Sequence, residues 1–141
     1  MARRRQERAL RAVADALILD SGALSAGADG HGRVRAELAV AEQLGAGVHV
    51  SAVTLTEVLR GHPRDARVHA LLSSIQREPV TPELGREAGE LLSRTARDDT
   101  VDAIVAVTAQ SLGRRVRLLT GDPSDLRALT ADMTAVTIVP I

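Results

Sequence analysis

The sequence predicts an α/β fold, a parallel sheet covered by helices on both faces. Three observations carry this. Short apolar runs at residues 16–19, 48–50, 116–120 and 136–139 read as strands buried on both sides. Longer segments between them repeat their apolar residues at helical spacing, giving the order βαβααβαβαβ. The chain has 141 residues, the length of one domain able to bury a real core, with no internal repeat, low-complexity tract or linker.

The elements follow in order. Residues 3–14 have a thin apolar stripe, Leu10 and Val13, and predict a helix. The first strand, Ala16–Leu19, ends at Asp20, and the glycine-rich stretch 21–32 predicts a loop. Val34, Leu38 and Ala41 give residues 33–44 a helical face that Gly45 ends. A second strand at 48–50 leads to Ser51, placed to cap a helix over 53–60. Gly61, His62 and Pro63 break that helix, and Val68, Leu71, Leu72 and Ile75 predict the next over 64–76. Residues 79–81 read as a short strand or extended link. Pro82 opens a helix to about residue 94 that buries Leu84, Ala88, Leu91 and Leu92. Asp98, Asp99 and Thr100 offer N-caps for 101–112, apolar on most sides and therefore central. A strand at Val116–Thr120, a short helix at 123–130 and a last strand at 136–139 complete the chain.

Composition removes several functions. All 18 basic residues other than His are Arg, so P-loop nucleotide hydrolysis, Schiff-base chemistry and an Asp/Lys phosphoswitch are excluded. Without Cys there are no disulfides, thiolate zinc sites or thiol nucleophiles. Without Phe, Tyr or Trp there is no aromatic base stacking. A formal net charge of zero argues against a generic polyanion binder. The apolar runs are too short to span a bilayer. Arg3, Arg4 and Arg5 are followed by Glu7, Arg8, Arg11 and Asp15 rather than an apolar signal-peptide core. The expectation is a cytoplasmic protein with no membrane partner.

Four carboxylates in apolar surroundings sit where a strand ends or on a helix: Asp20, Glu57, Asp102 and Asp122. Taken singly, each has an ordinary explanation as a turn, cap or solvated helix residue. A parallel sheet, however, gathers such positions at the carboxyl ends of its strands. Converging carboxylates with no Lys to balance them repel, and a hard divalent cation with oxygen ligands relieves that repulsion. Mg²⁺ or Mn²⁺ there would serve phosphodiester chemistry, with one carboxylate orienting or deprotonating the attacking water. Residues 27–32 lack the spacing of a dinucleotide fingerprint and read as a flexible loop. His31, His49, His62 and His69 form no ligand pair at i, i+4. Arg114, Arg115 and Arg117 read as a solvated helix–strand junction.

Four segments carry a resemblance. Leu-Ile-Leu-Asp-Ser-Gly-Ala-Leu (17–24), Val-Thr-Leu-Thr-Glu-Val-Leu-Arg-Gly (53–61), Asp-Asp-Thr-Val-Asp-Ala-Ile-Val-Ala (98–106) and Leu-Leu-Thr-Gly-Asp-Pro-Ser-Asp-Leu (118–126) resemble, in the same order, the motifs of PIN-domain ribonucleases. The likeness is greatest to VapC-type toxins of toxin–antitoxin pairs. It implies a PIN-like three-layer α/β/α sandwich with a central, mostly parallel sheet over residues 16–141, preceded by an Arg-rich helical extension, 1–15. It further implies a metal-dependent endoribonuclease that leaves a 5′-phosphate and a 3′-hydroxyl. Asp20, Glu57, Asp102 and Asp122 would be the catalytic acids, with Asp20, Asp102 and Asp122 holding Mg²⁺ or Mn²⁺. Asp99 and Asp125 would be accessory acids, and Ser21 and Thr120 supporting hydrogen-bonding residues. Arg60 follows the Glu as in many such toxins, placed to reach RNA or the acids of an unloaded site. The implied partners are RNA, a VapB-like antitoxin and a second copy of the chain. Two other readings exist: a catalytically silent PIN-like interaction domain, which usually loses one of the acids, and a nucleotide-binding α/β module, which needs the missing glycine fingerprint.

Overall fold

A computed structural model describes residues 2–5 and 16–141. Residues 2–5 are helical; the rest of the predicted 3–14 helix, with Leu10 and Val13, lies outside the described residues. The sheet has five strands: β1 (Ala16–Leu19), β2 (Gly47–Ser51), β3 (Gln76–Glu78), β4 (Val116–Thr120) and β5 (Val136–Pro140). The helices are α1 (Ser21–Ala28), α2 (Gly32–Leu44), α3 (Ala52–Val58), α4 (Ala66–Leu72), α5 (Pro82–Thr95), α6 (Thr100–Ser111) and α7 (Pro123–Leu129). A 3₁₀ turn, Pro63–Asp65, precedes α4. The strand order is β3-β2-β1-β4-β5, and every pairing is parallel rather than mostly so.

Side chains alternate across the sheet, which produces three layers. Ala16, Ile18, Val116 and Leu118 face a core closed by Ala88 and Leu91 of α5, Ala103 to Ala109 of α6, and Leu126 and Leu129 of α7. Leu17, Leu19, Val50, Leu119 and Val139 face the opposite core with Leu24 of α1, Val34 and Ala41 of α2, and Val68 and Leu72 of α4. β1 is buried on both sides along its whole length, as a central parallel strand must be. Among the described residues no helix is long and apolar enough to cross a membrane.

Four predicted elements need correction. The stretch 21–32 is not a loop: Ser21–Ala28 is helical, with Asp20 as its N-cap, accepting from the Ala23 N–H at 2.8 Å. Its glycines serve packing. A Cβ on Gly27 would sit 2.9 Å from Val34 Cγ1, and one on Gly22 would sit 3.4 Å from the Gly121 backbone. Close approach of α1 to its neighbours overrides glycine's poor helix propensity.

The helix predicted over 53–60 stops at Val58, since Leu59 is already extended. The helix predicted over 64–76 ends at Leu72, and the third strand is Gln76–Glu78, not 79–81. This strand pairs with β2 at the sheet edge, His49 opposite Gln76. Its polar composition suits an exposed edge and gives no apolar signal.

Candidate metal centre

Chain direction determines where the site can form. From β1 the chain moves to β2 and β3 on one side, then returns to place β4 on the other side of β1. The carboxyl ends of β1 and β4 therefore flank a topological switch point, where α/β sheets open a crevice. Leu19 lies opposite Leu119, and the Asp20 N–H donates to the Leu119 carbonyl at 3.1 Å. This puts Asp20 beside Thr120 and the turn carrying Asp122.

A pocket of about 540 Å³ opens there, and Asp20, Glu57, Asp102 and Asp122 all line it, with Ser21, Asp98 and Asp99. Asp20 comes from the end of β1, Glu57 from α3, Asp102 from the first turn of α6, and Asp122 from the turn after β4. Burial is graded across the set: Asp20 is 6% exposed and Asp102 is half-buried, whereas Glu57 and Asp122 are exposed. The Thr120 hydroxyl, fully buried, accepts from the Asp122 N–H at 2.8 Å and hydrogen-bonds the Asp20 carboxyl. It ties two of the acids together.

The acids bear the electrostatic cost of convergence. Burial raises the Asp20 carboxyl above its ordinary range and the nearby Glu57 adds to this, opposed by the Thr120 hydroxyl and the N–H groups of Ala23 and Gly121. Asp102 is pushed up to about 6, first by burial and then by the charges of Asp122, Asp20, Asp99 and Asp125. Asp122 is raised chiefly by a hydrogen bond shared with Asp125.

The cation among these acids is Arg97. Its Nε donates to Asp99 Oδ2 at 2.9 Å, and its Nη2 pairs with Asp125 Oδ1. Oxygens of Asp99, Asp102 and Asp125 lie within 4.8 Å of one another, an approach that a guanidinium bridging two of the three helps sustain. Asp99 consequently stands at the N-cap position of α6 without capping it. Sequence reasoning overlooked Arg97. The available signal was its position directly ahead of Asp98 and Asp99.

Arg60 does not contact the acids. Its Nη1 donates to the carbonyls of Thr56 and Leu59 at 2.8 and 2.9 Å, at the end of α3. Arg117 pairs with Glu37 at 2.7 Å, and its strand neighbour Val116 lies opposite Ala16, at the amino end of the sheet away from the acids.

The donor set suits a hard cation. It is all carboxylate oxygen, without His or thiolate, and Asp20, Asp102 and Asp122 carry raised pKa values that a cation would reverse. Arg97 is one positive charge shared between Asp99 and Asp125, and it pairs with none of Asp20, Glu57, Asp102 and Asp122, so the pocket keeps a large negative excess.

Comparison with known proteins agrees with this architecture. A family model described as PIN domain matches residues 17–130. No curated protein sequence matches the chain. Among solved structures, a chain of VapBC2 from Rickettsia felis bound to a DNA fragment from its promoter superposes with a TM-score of 0.67 at 12% identity, covering 89% of this chain and 98% of that one. A chain of a toxin–antitoxin complex from Klebsiella pneumoniae gives 0.67 at 21% identity, covering 86% and 96%. A chain of VapBC-5 from Mycobacterium tuberculosis gives 0.55 at 21% identity, covering 90% and 99%.

Proposed function

This chain belongs to the PIN-domain family, and from that premise we propose that it is a metal-dependent endoribonuclease, the toxin of a toxin–antitoxin pair. The observation that carries the reading is one pocket collecting Asp20, Glu57, Asp102 and Asp122 from four separate segments at the carboxyl end of a parallel sheet. Asp20, Asp102 and Asp122 would hold Mg²⁺ or Mn²⁺. The ion, when bound, neutralises charge on the phosphodiester and acidifies water. Thr120 keeps Asp20 and Asp122 in register through its two hydrogen bonds. Glu57, exposed at the pocket wall, orients the attacking water and takes its proton. Cleavage leaves a 5′-phosphate and a 3′-hydroxyl. The similar solved chains come from toxin–antitoxin assemblies, which supports a cognate antitoxin as partner. A homodimer is the expected self-assembly.

The test is cleavage of labelled RNA by purified protein with EDTA, Mg²⁺ or Mn²⁺. Cleavage is expected only with the divalent ions, together with a metal-induced rise in melting temperature. Cleavage undiminished in EDTA would refute the reading.

Arg97 gives a separate expectation. Replacing it with Met frees the charges of Asp99 and Asp125, making the pocket more negative. Titration calorimetry at low salt should then show Mn²⁺ binding roughly 3–10-fold more tightly to Arg97→Met. Unchanged or weaker binding would mean that Arg97 positions the acids rather than competing for them.

A further inference from the structure

A second cleft lies beside the acid pocket and has the opposite charge. It encloses about 520 Å³, and Arg60, Arg64 and Arg67 line it against two carboxylates, Asp29 and Asp65, which leaves its lining net positive. It shares two walls with the acid pocket. Ser21 of α1 lines the first and Ser25 the second, one helical turn or about 6 Å further on. Glu57 lines the first, while Val58 and Arg60 line the second.

Arg60 lies on the loop after α3, Arg64 in the 3₁₀ turn and Arg67 in the first turn of α4, and the loop is held from within. Asp65 is buried, and its Oδ2 accepts from the N–H groups of Arg60, Gly61 and His62 at 2.8, 2.8 and 3.3 Å. Gly61 permits this turn with φ of 74°. The Asp65 carboxylate is thus taken up by backbone. Among the described residues Arg64 has no carboxylate partner, and Arg67 has only Asp29 at 3.8 Å, with both side chains about three-quarters exposed.

We propose that this cleft is a phosphate subsite that holds the RNA backbone alongside the acid pocket through Arg60, Arg64 and Arg67. The inference rests on the nuclease reading above. Its physical basis is charge. The acid pocket carries Asp20, Glu57, Asp98, Asp99, Asp102 and Asp122, which repel a polyanion at close range. The chain has zero net charge and no aromatic residue on which to stack a base. A substrate brought to the acids therefore needs positive charge on its flank, and guanidinium groups carried on backbone held by Asp65 and by α4 provide it. Continuity with the acid pocket along α1 and α3 favours a nucleic-acid strand over an acidic polypeptide.

The test uses the Asp20→Asn protein, so that RNA survives, with a labelled oligouridylate followed by fluorescence anisotropy across a salt series. Adding Arg60→Gln, Arg64→Gln and Arg67→Gln should weaken binding roughly 10–100-fold at low salt and reduce the log–log salt slope by about two to three. The corresponding Lys variants should retain most of the slope, because a point charge still meets phosphate. If the triple Gln protein fails to fold by circular dichroism, Arg64→Gln and Arg67→Gln singly should each weaken binding a few-fold. Affinity and slope unchanged in folded variants would overturn the proposal. So would loss of binding to a polyglutamate peptide with RNA binding retained, which would make the cleft a protein-docking site. Mn²⁺ titration of the triple Gln variant with Asp20 intact should match the wild type. Absence of Mn²⁺ binding or RNA cleavage in the wild type would defeat the nuclease reading and leave the cleft to be judged on RNA binding.

Discussion

Asp20→Asn is expected to lower RNA cleavage by roughly 10²–10³-fold, the scale of losing one group that stabilises developing charge, while leaving the fold intact. Asn still accepts the Ala23 N–H, so the cap on α1 survives. The buried carboxylate is one that burial and Glu57 both penalise in its charged form, so its removal should leave apo stability equal or higher. The discriminating readout is the melting temperature with and without Mn²⁺. The wild type should be stabilised by about 2.7 kcal/mol when the ion is at a hundredfold its Kd, and Asp20→Asn should lose most of that. Cleavage by the purified variant at the native rate would sink the assignment, whatever its stability.

The metal-free protein should become less stable as pH rises from about 4 to about 6, the reverse of the usual behaviour of carboxylates in salt bridges. Asp102 goes from an ordinary 3.8 to about 6 in the folded chain, and Asp20 moves the same way. In that window the folded state holds more protons than the unfolded state, so raising pH removes stability. Two pH units would be worth about 3 kcal/mol. Asp102 is only half-buried, and solvent screening brings the expected loss to about 1–2 kcal/mol. Asp65 contributes the opposite sign outside this window. Its carboxyl is held below the usual range, most strongly by the Arg60 N–H, so its stabilisation is lost only below about pH 4. Mn²⁺ should invert the trend, because it favours the ionised acids. Melting temperature against pH, in EDTA and in Mn²⁺, measures both slopes. A flat or rising EDTA profile between pH 4 and 6 would show that burial and mutual repulsion do not raise these acids in the folded chain.

Much of the fold was legible. The runs at 16–19 and 116–120 are strands because they are apolar on both sides, and α2, α5 and α6 follow from helical spacing and their end signals. Three places were not legible, each for its own reason. The glycines of α1 look like loop residues until Val34 and Gly121 show why a side chain would not fit. β3 has no apolar pattern because an edge strand with Gln76, Arg77 and Glu78 needs none. The 64–76 segment keeps its apolar spacing past Leu72 because Ile75 is buried in the turn, not in a helix.

The sequence by itself determined the sheet type and the chain positions of the acids. Both follow from local apolar pattern and from where a strand must end. Only the tertiary structure decided which of those acids share space and what neutralises them. Strand order puts the ends of β1 and β4 side by side, so Asp20, Thr120 and Asp122 become neighbours across a hundred residues of chain. It also decided that Arg97, not Arg60, meets the acids, and that Arg60 stands with Arg64 and Arg67 in a cleft of its own. A charged side chain's partner depends on reach and direction in three dimensions, and sequence separation carries little of that information.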